Sequence, residues 1–133
     1  MKIFQLSILA LLILIFISCK KDDGNISPLK GSWELKSSTD GMTGSVTEYP
    51  ANNGNLITFT GLNYQIFSNH QLVKSGTFKV VEETSIISNS KGKRIIYDNE
   101  LDRVRSFFNI RKANLDIYVD AFDGPSASYT KKQ

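Results

Sequence analysis

The sequence predicts an all-β, single-domain protein, an antiparallel up-and-down barrel of about eight to ten strands. Three observations carry this expectation. From Gly31 onward, apolar and polar residues alternate with period two. Turn signals interrupt that alternation at short intervals. No stretch there repeats its apolar positions at helical spacing. A sheet with one apolar face must cover that face. With no amphipathic helix to do so, closing the sheet on itself buries the face and removes its edges together. Two stacked sheets are the alternative.

In chain order, the expected strands are Ser32–Ser37, Leu56–Thr60, Tyr64–Ser68, Leu72–Val81, Ser85–Ser88, Arg94–Asp98, Arg103–Arg111, Leu115–Phe122 and Ala127–Lys131. Gly44–Tyr49 reads as an extra strand or a flap. The breakers are Gly61-Leu62-Asn63, Asn69-His70, Glu82-Glu83-Thr84, Lys91-Gly92 and Asp123-Gly124-Pro125. Alternation is clearest where Leu115, Ile117, Val119 and Ala121 oppose Asp116, Tyr118 and Asp120. Before it, Val104, Ser106, Phe108 and Ile110 form the apolar face, and Arg103, Arg105, Phe107, Asn109 and Arg111 the wet one. Ile95 and Tyr97 oppose Arg94, Ile96 and Asp98 in the same way. A turn at Asn99–Asp102 sets Asp98 opposite Arg103, a favourable charge pair, and Ile95 opposite Ser106. A slip of one residue would bury Arg103 and Arg105. The next turn is Ala113-Asn114 or Arg111–Asn114.

Ahead of this domain, Lys2 precedes an apolar run from Ile3 to Ile17, broken by Gln5 and Ser7. That is shorter than the roughly 20 residues a bilayer-spanning helix needs. It matches a signal-peptide core, so residues 1–18 are expected to be removed. The chain's one cysteine, Cys19, has no partner for an internal disulfide. Phe16-Ile17-Ser18-Cys19 resembles the lipobox of bacterial lipoproteins, with Phe where Leu is usual. The resemblance implies cleavage before Cys19 and acylation of its sulfur, by palmitate or a similar chain, and often of its new amine. Each buried methylene contributes about 0.8 kcal/mol, so two or three such chains hold the protein at a membrane. Lys20-Lys21-Asp22-Asp23 follows directly and resembles the lipoprotein export signal of Bacteroidota. That resemblance implies an outer-membrane protein carried to the cell surface, with retention on the periplasmic face as the alternative. Residues 19–28 then form the acylated cysteine and a tether; its stretch from Lys20 to Pro28 reaches at most about 30 Å. Residues 29–133 form the domain.

About 115 residues remain after cleavage, enough for one domain with its own core and no disulfides. The formal charge of +3 falls by one with the loss of Lys2. No concentrated basic footprint marks a nucleic-acid binder.

Leu29-Lys30-Gly31-Ser32-Trp33-Glu34-Leu35 resembles the Gly-x-Trp start of lipocalins and lipocalin-like bacterial lipoproteins. Leu115–Asp120, Asp123-Gly124 and Tyr129-Thr130-Lys131 resemble the family's final hairpin. The likeness implies that Trp33 enters the first strand and closes one end of the barrel. Lipocalins stack an Arg from the last strand on that Trp. This chain has Lys131 and Lys132 there, and a Lys can make a cation–π contact without the planar fork.

Chemistry is sparse. His70 is the only histidine and lies in a polar turn. There is no Cys/His zinc set, phosphate loop or nucleophile elbow, so neither metal, cofactor nor enzymatic activity is expected. Asp98, Glu100 and Asp102 bunch in one turn without the spacing of a calcium loop. Asp120 and Asp123 read as solvated exterior and turn residues. Arg94, Arg103, Arg105 and Arg111 fall on an outer face interleaved with acids, as a soluble surface does. Function is left to the interior, where Phe59, Tyr64, Ile66, Phe78, Tyr97, Phe108, Ile117 and Val119 are candidate lining residues. An eight-stranded barrel is either filled by side chains or holds one small ligand, and interior Tyr hydroxyls need partners. The expected function is binding of a small apolar or amphipathic molecule in the barrel. The alternative is a filled barrel whose exterior, at the Arg-bearing face and Ser38–Asn55, contacts a protein or glycan at the cell surface.

Overall fold

The computed structural model describes residues 26–101 and 103–133. The expectations at Cys19, Lys20, Lys21, Asp22 and Asp23 lie outside the described residues. A 3₁₀ turn, Ser27–Leu29, leads into nine strands: β1 Gly31–Thr39, β2 Val46–Glu48, β3 Leu56–Thr60, β4 Asn63–Ser68, β5 Gln71–Thr84, β6 Lys91–Tyr97, β7 Ser106–Arg111, β8 Asn114–Val119 and β9 Ser126–Lys131. Every pairing is antiparallel, and β1 also pairs with β9. Eight strands therefore close into a barrel, the antiparallel up-and-down architecture that the alternation predicts. β2 is the extra strand. Glu34 is the last residue of β1 to pair with β3, and Ser37–Thr39 then pair with β2 along the same edge.

Facing sides follow from the register. Trp33 and Leu35 point inward with Ile57, Phe59, Tyr64, Ile66, Phe78, Val80, Ile95, Tyr97, Phe108, Ile110, Leu115, Ile117 and Tyr129. A bulge at Lys36 shifts the pairing of β1 with β9, so Ser38 rather than Ser37 lies beside inward Ala127. The core gathers around Trp33: Leu29, Trp33, Ile57, Phe59, Tyr64, Phe78, Ile95, Phe108 and Leu115 are all buried. The Trp33 indole N–H donates to the Leu29 carbonyl at 2.7 Å, and the Lys131 ammonium lies 5.1 Å from the indole centroid. Ser27 and Pro28, assigned to the tether from sequence, form the turn that caps the Trp33 end, and Ile26 packs on the core.

Several strand boundaries differ from expectation. Ser85–Ser88 is a turn, because the Ser85 amide bonds back to the Ser90 carbonyl, and the Ile86, Ile87 and Ser88 amides and the Ser85 hydroxyl bond to side chains instead of a neighbouring strand. Ile95 does oppose Ser106. The connection between β6 and β7, however, runs from 98 to 105, so Arg103–Arg105 are not strand. Asp98 does not pair with Arg103, which binds Glu100 instead at 2.6 Å. The turn after β7 is Lys112-Ala113, with Arg111 opposite Asn114.

The largest difference lies on the outer face of β6 and β7. Arg94, Ile96 and Phe107, expected in solvent, are buried. The far end of the β5–β6 hairpin folds across this face. Gly92 lies so close to the Phe107 ring that a methyl there would overlap it. Ser85, Ile86 and Ile87 bond to Asp120, beyond the end of β8.

Candidate functional site

The end of the barrel opposite Trp33 is less completely filled. Inward positions there carry small side chains, Ser38 on β1, Ser106 on β7 and Ala127 on β9, or residues that stay only partly buried, Leu35, Ile66, Ile117, Val119 and Tyr129. Small side chains cannot span a barrel that Trp and Phe fill at the other end. Two hollows open at this rim. One, of about 450 Å³, is bounded by Leu35, Tyr49, Asn55, Ile66 and Tyr129 among others. The other, of about 540 Å³, is bounded by residues including Ser38, Thr47, Ile117, Val119 and Ala127. β1 and β9 contribute wall to both.

The segment between β1 and β3 forms the rim and is pinned at several points. The Tyr49 amide donates to the Lys36 carbonyl at 2.8 Å, and the Leu35 amide to the Asn55 carbonyl at 2.9 Å. The Asn53 side-chain amide donates to the Leu35 and Pro50 carbonyls. Asn69 and His70, both with positive φ, turn β4 into β5. The His70 amide donates to the Gly54 carbonyl at 3.0 Å, and the imidazole packs where a Cβ on Gly54 would sit. His70 thus braces the rim.

Four of the five tyrosines put their rings inside the barrel or at its mouth. Tyr64 donates to Asp98 at 2.7 Å. Tyr49 lies 3.4 Å from the Ser38 hydroxyl. Tyr97 packs edge-on against Tyr64 with centroids 4.8 Å apart. Neither the Tyr97 nor the Tyr129 hydroxyl has a hydrogen-bond partner among the described residues, and neither is sealed from water. Burial pushes the Tyr97 phenol well up, and Tyr129 and Tyr64 add to the effect. Burial also raises Tyr129, with Tyr49 adding to it. Both stay neutral.

The predicted lining residues divide. Phe59, Tyr64, Phe78 and Phe108 belong to the core around Trp33. Phe59 and Phe78 also border a third hollow of about 410 Å³ beside Ile26 and Leu62 at the Trp33 end. Ile66, Tyr97 and Ile117 are partly buried against that core, and Val119 is at the rim. Leu35, Tyr49 and Tyr129 were not among the sequence candidates. Alternation back from Lys131 places Tyr129 inward, and forward from Trp33 does the same for Leu35. Ser38 is hidden by the bulge.

A second polar cluster lies outside the barrel. Arg94 donates to Glu83 at 2.9 Å and to the Leu101 carbonyl at 2.8 Å. Arg105 reaches Glu83 at 3.0 Å, Asp120 at 3.1 Å and the Thr84 carbonyl at 2.7 Å. Asp120 also accepts from the Ser85 hydroxyl and the Ile86 amide. Burial pushes the Asp120 carboxyl up, but these donors and Arg105 together hold it below its ordinary value. Asp120, expected in solvent, is instead the pin that fastens the hairpin. Within this cluster the Nε atoms of Arg94 and Arg105 are buried without a hydrogen-bond partner.

Among the described residues no group of three acidic, His or Cys side chains could hold a metal ion. Comparison with known families, curated proteins and solved structures finds no match.

Proposed function

We propose that this protein is a lipid-anchored barrel that binds a small, largely apolar molecule at its open end. The observation that supports this reading most directly is the uneven filling of the barrel: large side chains gather around Trp33, while the other end has small or half-exposed walls and one phenol, Tyr129, without a protein partner. A mostly apolar concavity with a few polar groups is what small-ligand sites have in common. The anchor reading rests on Phe16–Cys19 and places the domain at the outer membrane, with Lys20–Asp23 favouring the cell surface. No covalent chemistry is assigned.

Native mass spectrometry of the full chain, purified from its host and from a heterologous one, tests the reading. A co-purifying molecule lost on Ala127→Phe and Ser38→Leu, which fill the mouth, supports it. A chain that carries nothing and takes up no apolar probe sinks it in favour of a surface contact module.

A further inference from the structure

We propose that the Trp33 end of the barrel docks on a membrane surface, where Lys30, Lys112 and Lys131 meet anionic lipid headgroups. This adds a contact face and a lipid class to the anchor reading. It rests on that reading only for what brings the domain to a membrane.

Three observations lead there. First, four chain segments meet at this end, and they are basic. Lys131 lies against Gly31, where an added Cβ would sit 3.3 Å from its Cε. The Lys131 amide donates to the Ala113 carbonyl at 2.8 Å, which sets the Lys112-Ala113 turn beside it. Gly61 and Leu62, in the turn from β3 to β4, share a hollow with Lys30. Residues 26–31, 60–63, 111–114 and 130–133 hold five Lys or Arg and no Asp or Glu, against one α-carboxylate at Gln133. Arg111 and Lys132 are matched by Asp116 and Glu34. Lys30, Lys112 and Lys131 are exposed, and none forms an ion pair among the described residues. Each cation held near an anionic leaflet strengthens attachment about fivefold.

Second, the charge reverses at the mouth. Loops 40–45 and 120–125 carry exposed Asp40 and Asp123 and no Lys or Arg. A negative surface therefore attracts one end and repels the other, and turns the domain with Trp33 toward it.

Third, the hollow of about 410 Å³ at this end has Ile26, Phe59, Leu62 and Phe78 in its wall, with Lys30 beside them. Apolar surface next to a cation suits both parts of a lipid, whereas a soluble polyanion would use the cations alone. Ile26 in that wall is seven positions from Cys19. Seven residues reach at most about 25 Å, so an anchor at Cys19 keeps this end near the membrane.

The test uses the full acylated chain in vesicles of phosphatidylcholine, alone or with phosphatidylglycerol. A nitrobenzoxadiazole label is attached to Ala113→Cys at the Trp33 end or Met42→Cys at the mouth, and a lipid with a nitroxide headgroup quenches it on contact. The label on Ala113→Cys should be quenched strongly in the anionic vesicles, weakly in the neutral ones, and released by high salt. The label on Met42→Cys should be spared in both. Lys30→Gln and Lys112→Gln should each weaken docking about fivefold, and Lys30→Arg and Lys112→Arg should keep it. Lys131 is left in place because its ammonium lies over Trp33. Quenching at Met42→Cys instead, or at Ala113→Cys without regard to lipid charge or to either lysine, overturns the proposal. A signal at Ala113→Cys that follows protein density and not lipid charge marks a second copy on this face and overturns it too. Wild type, with no added cysteine, should take no label. Uptake at Cys19 overturns the anchor reading, and the docking face then stands or falls on flotation of the chain with anionic vesicles and not with neutral ones.

Discussion

Tyr64 on β4 and Asp98 just past the end of β6, with β5 between them, meet through a 2.7 Å hydrogen bond from phenol to carboxylate. The Thr77 amide donates to the same carboxylate at 3.0 Å. Gly76 is required beside them, since a methyl there would overlap both Asp98 and the Tyr64 ring. The Tyr64 hydrogen bond holds the Asp98 carboxyl below its ordinary value; burial opposes it, while the Thr77 amide and nearby Lys74 and Arg103 assist. A depressed folded value means stability that is present above the unfolded value and lost as pH falls through the folded one. Thermal melts of wild type and Asp98→Asn from neutral to acid pH should therefore converge on the acid side. Parallel curves would show that the pair contributes nothing.

Asp120 should be the costliest acidic residue to remove. Its side chain is fully buried, and Asp120→Ala leaves Arg105 with one fewer counter-charge and the Ile86 amide unpaired. A loss of about 2–4 kcal/mol is expected in urea melts. Hydrogen exchange should quicken at Ile86 and Ile87 well before it does in β1 or β9.

Trp33 is the chain's single tryptophan, so the core around it reports itself. Its emission should be blue-shifted, as for an indole out of water. Trp33→Phe strands the Leu29 carbonyl and should cost about 2 kcal/mol. Lys131→Met removes only the cation over the ring and should cost about 0.5–1 kcal/mol, while Lys131→Arg should cost less. Chemical denaturation followed by circular dichroism ranks the three.

Cys19 carries the anchor prediction. Metabolic labelling with an alkyne-bearing palmitate should mark the wild-type chain and fail to mark Cys19→Ser. Joint replacement of Asp22 and Asp23 by Asn should keep the label but reduce cleavage by a protease added to intact cells. An undiminished cleavage pattern would count against Lys20–Asp23 as an export signal.

The barrel was legible in the sequence because its strands alternate strictly. Leu115–Val119 and Phe108–Ile110 show one apolar face each, and register follows once Ile95 is set against Ser106. The exterior was not legible. Phe107, Ile96 and Arg94 sit at positions that alternation assigns to water, and only the fold-back of the far end of the β5–β6 hairpin buries them. Nothing local to Ser85–Ser88 announces that Asp120, more than thirty residues on, will take their amides. The open end was half legible. Ile66 and Ile117 were expected inside and line it, but the bulge at Lys36 is a one-residue event without a sequence mark, and it decides which serine of β1 faces the mouth.

Pairing of β1 with β9 makes neighbours of the barrel's first and last strands. The Lys132 amide donates to the Ser32 carbonyl at 2.9 Å, so the chain enters and leaves at the Trp33 end. The domain works as a clasp whose two tails hang from one side. Anything fused at Gln133 would emerge at the Trp33 end, beside Ile26, and leave the mouth clear. A short bridge between those tails, with new ends cut at Asn69-His70, would reorder the chain without unmaking a single rung of the barrel.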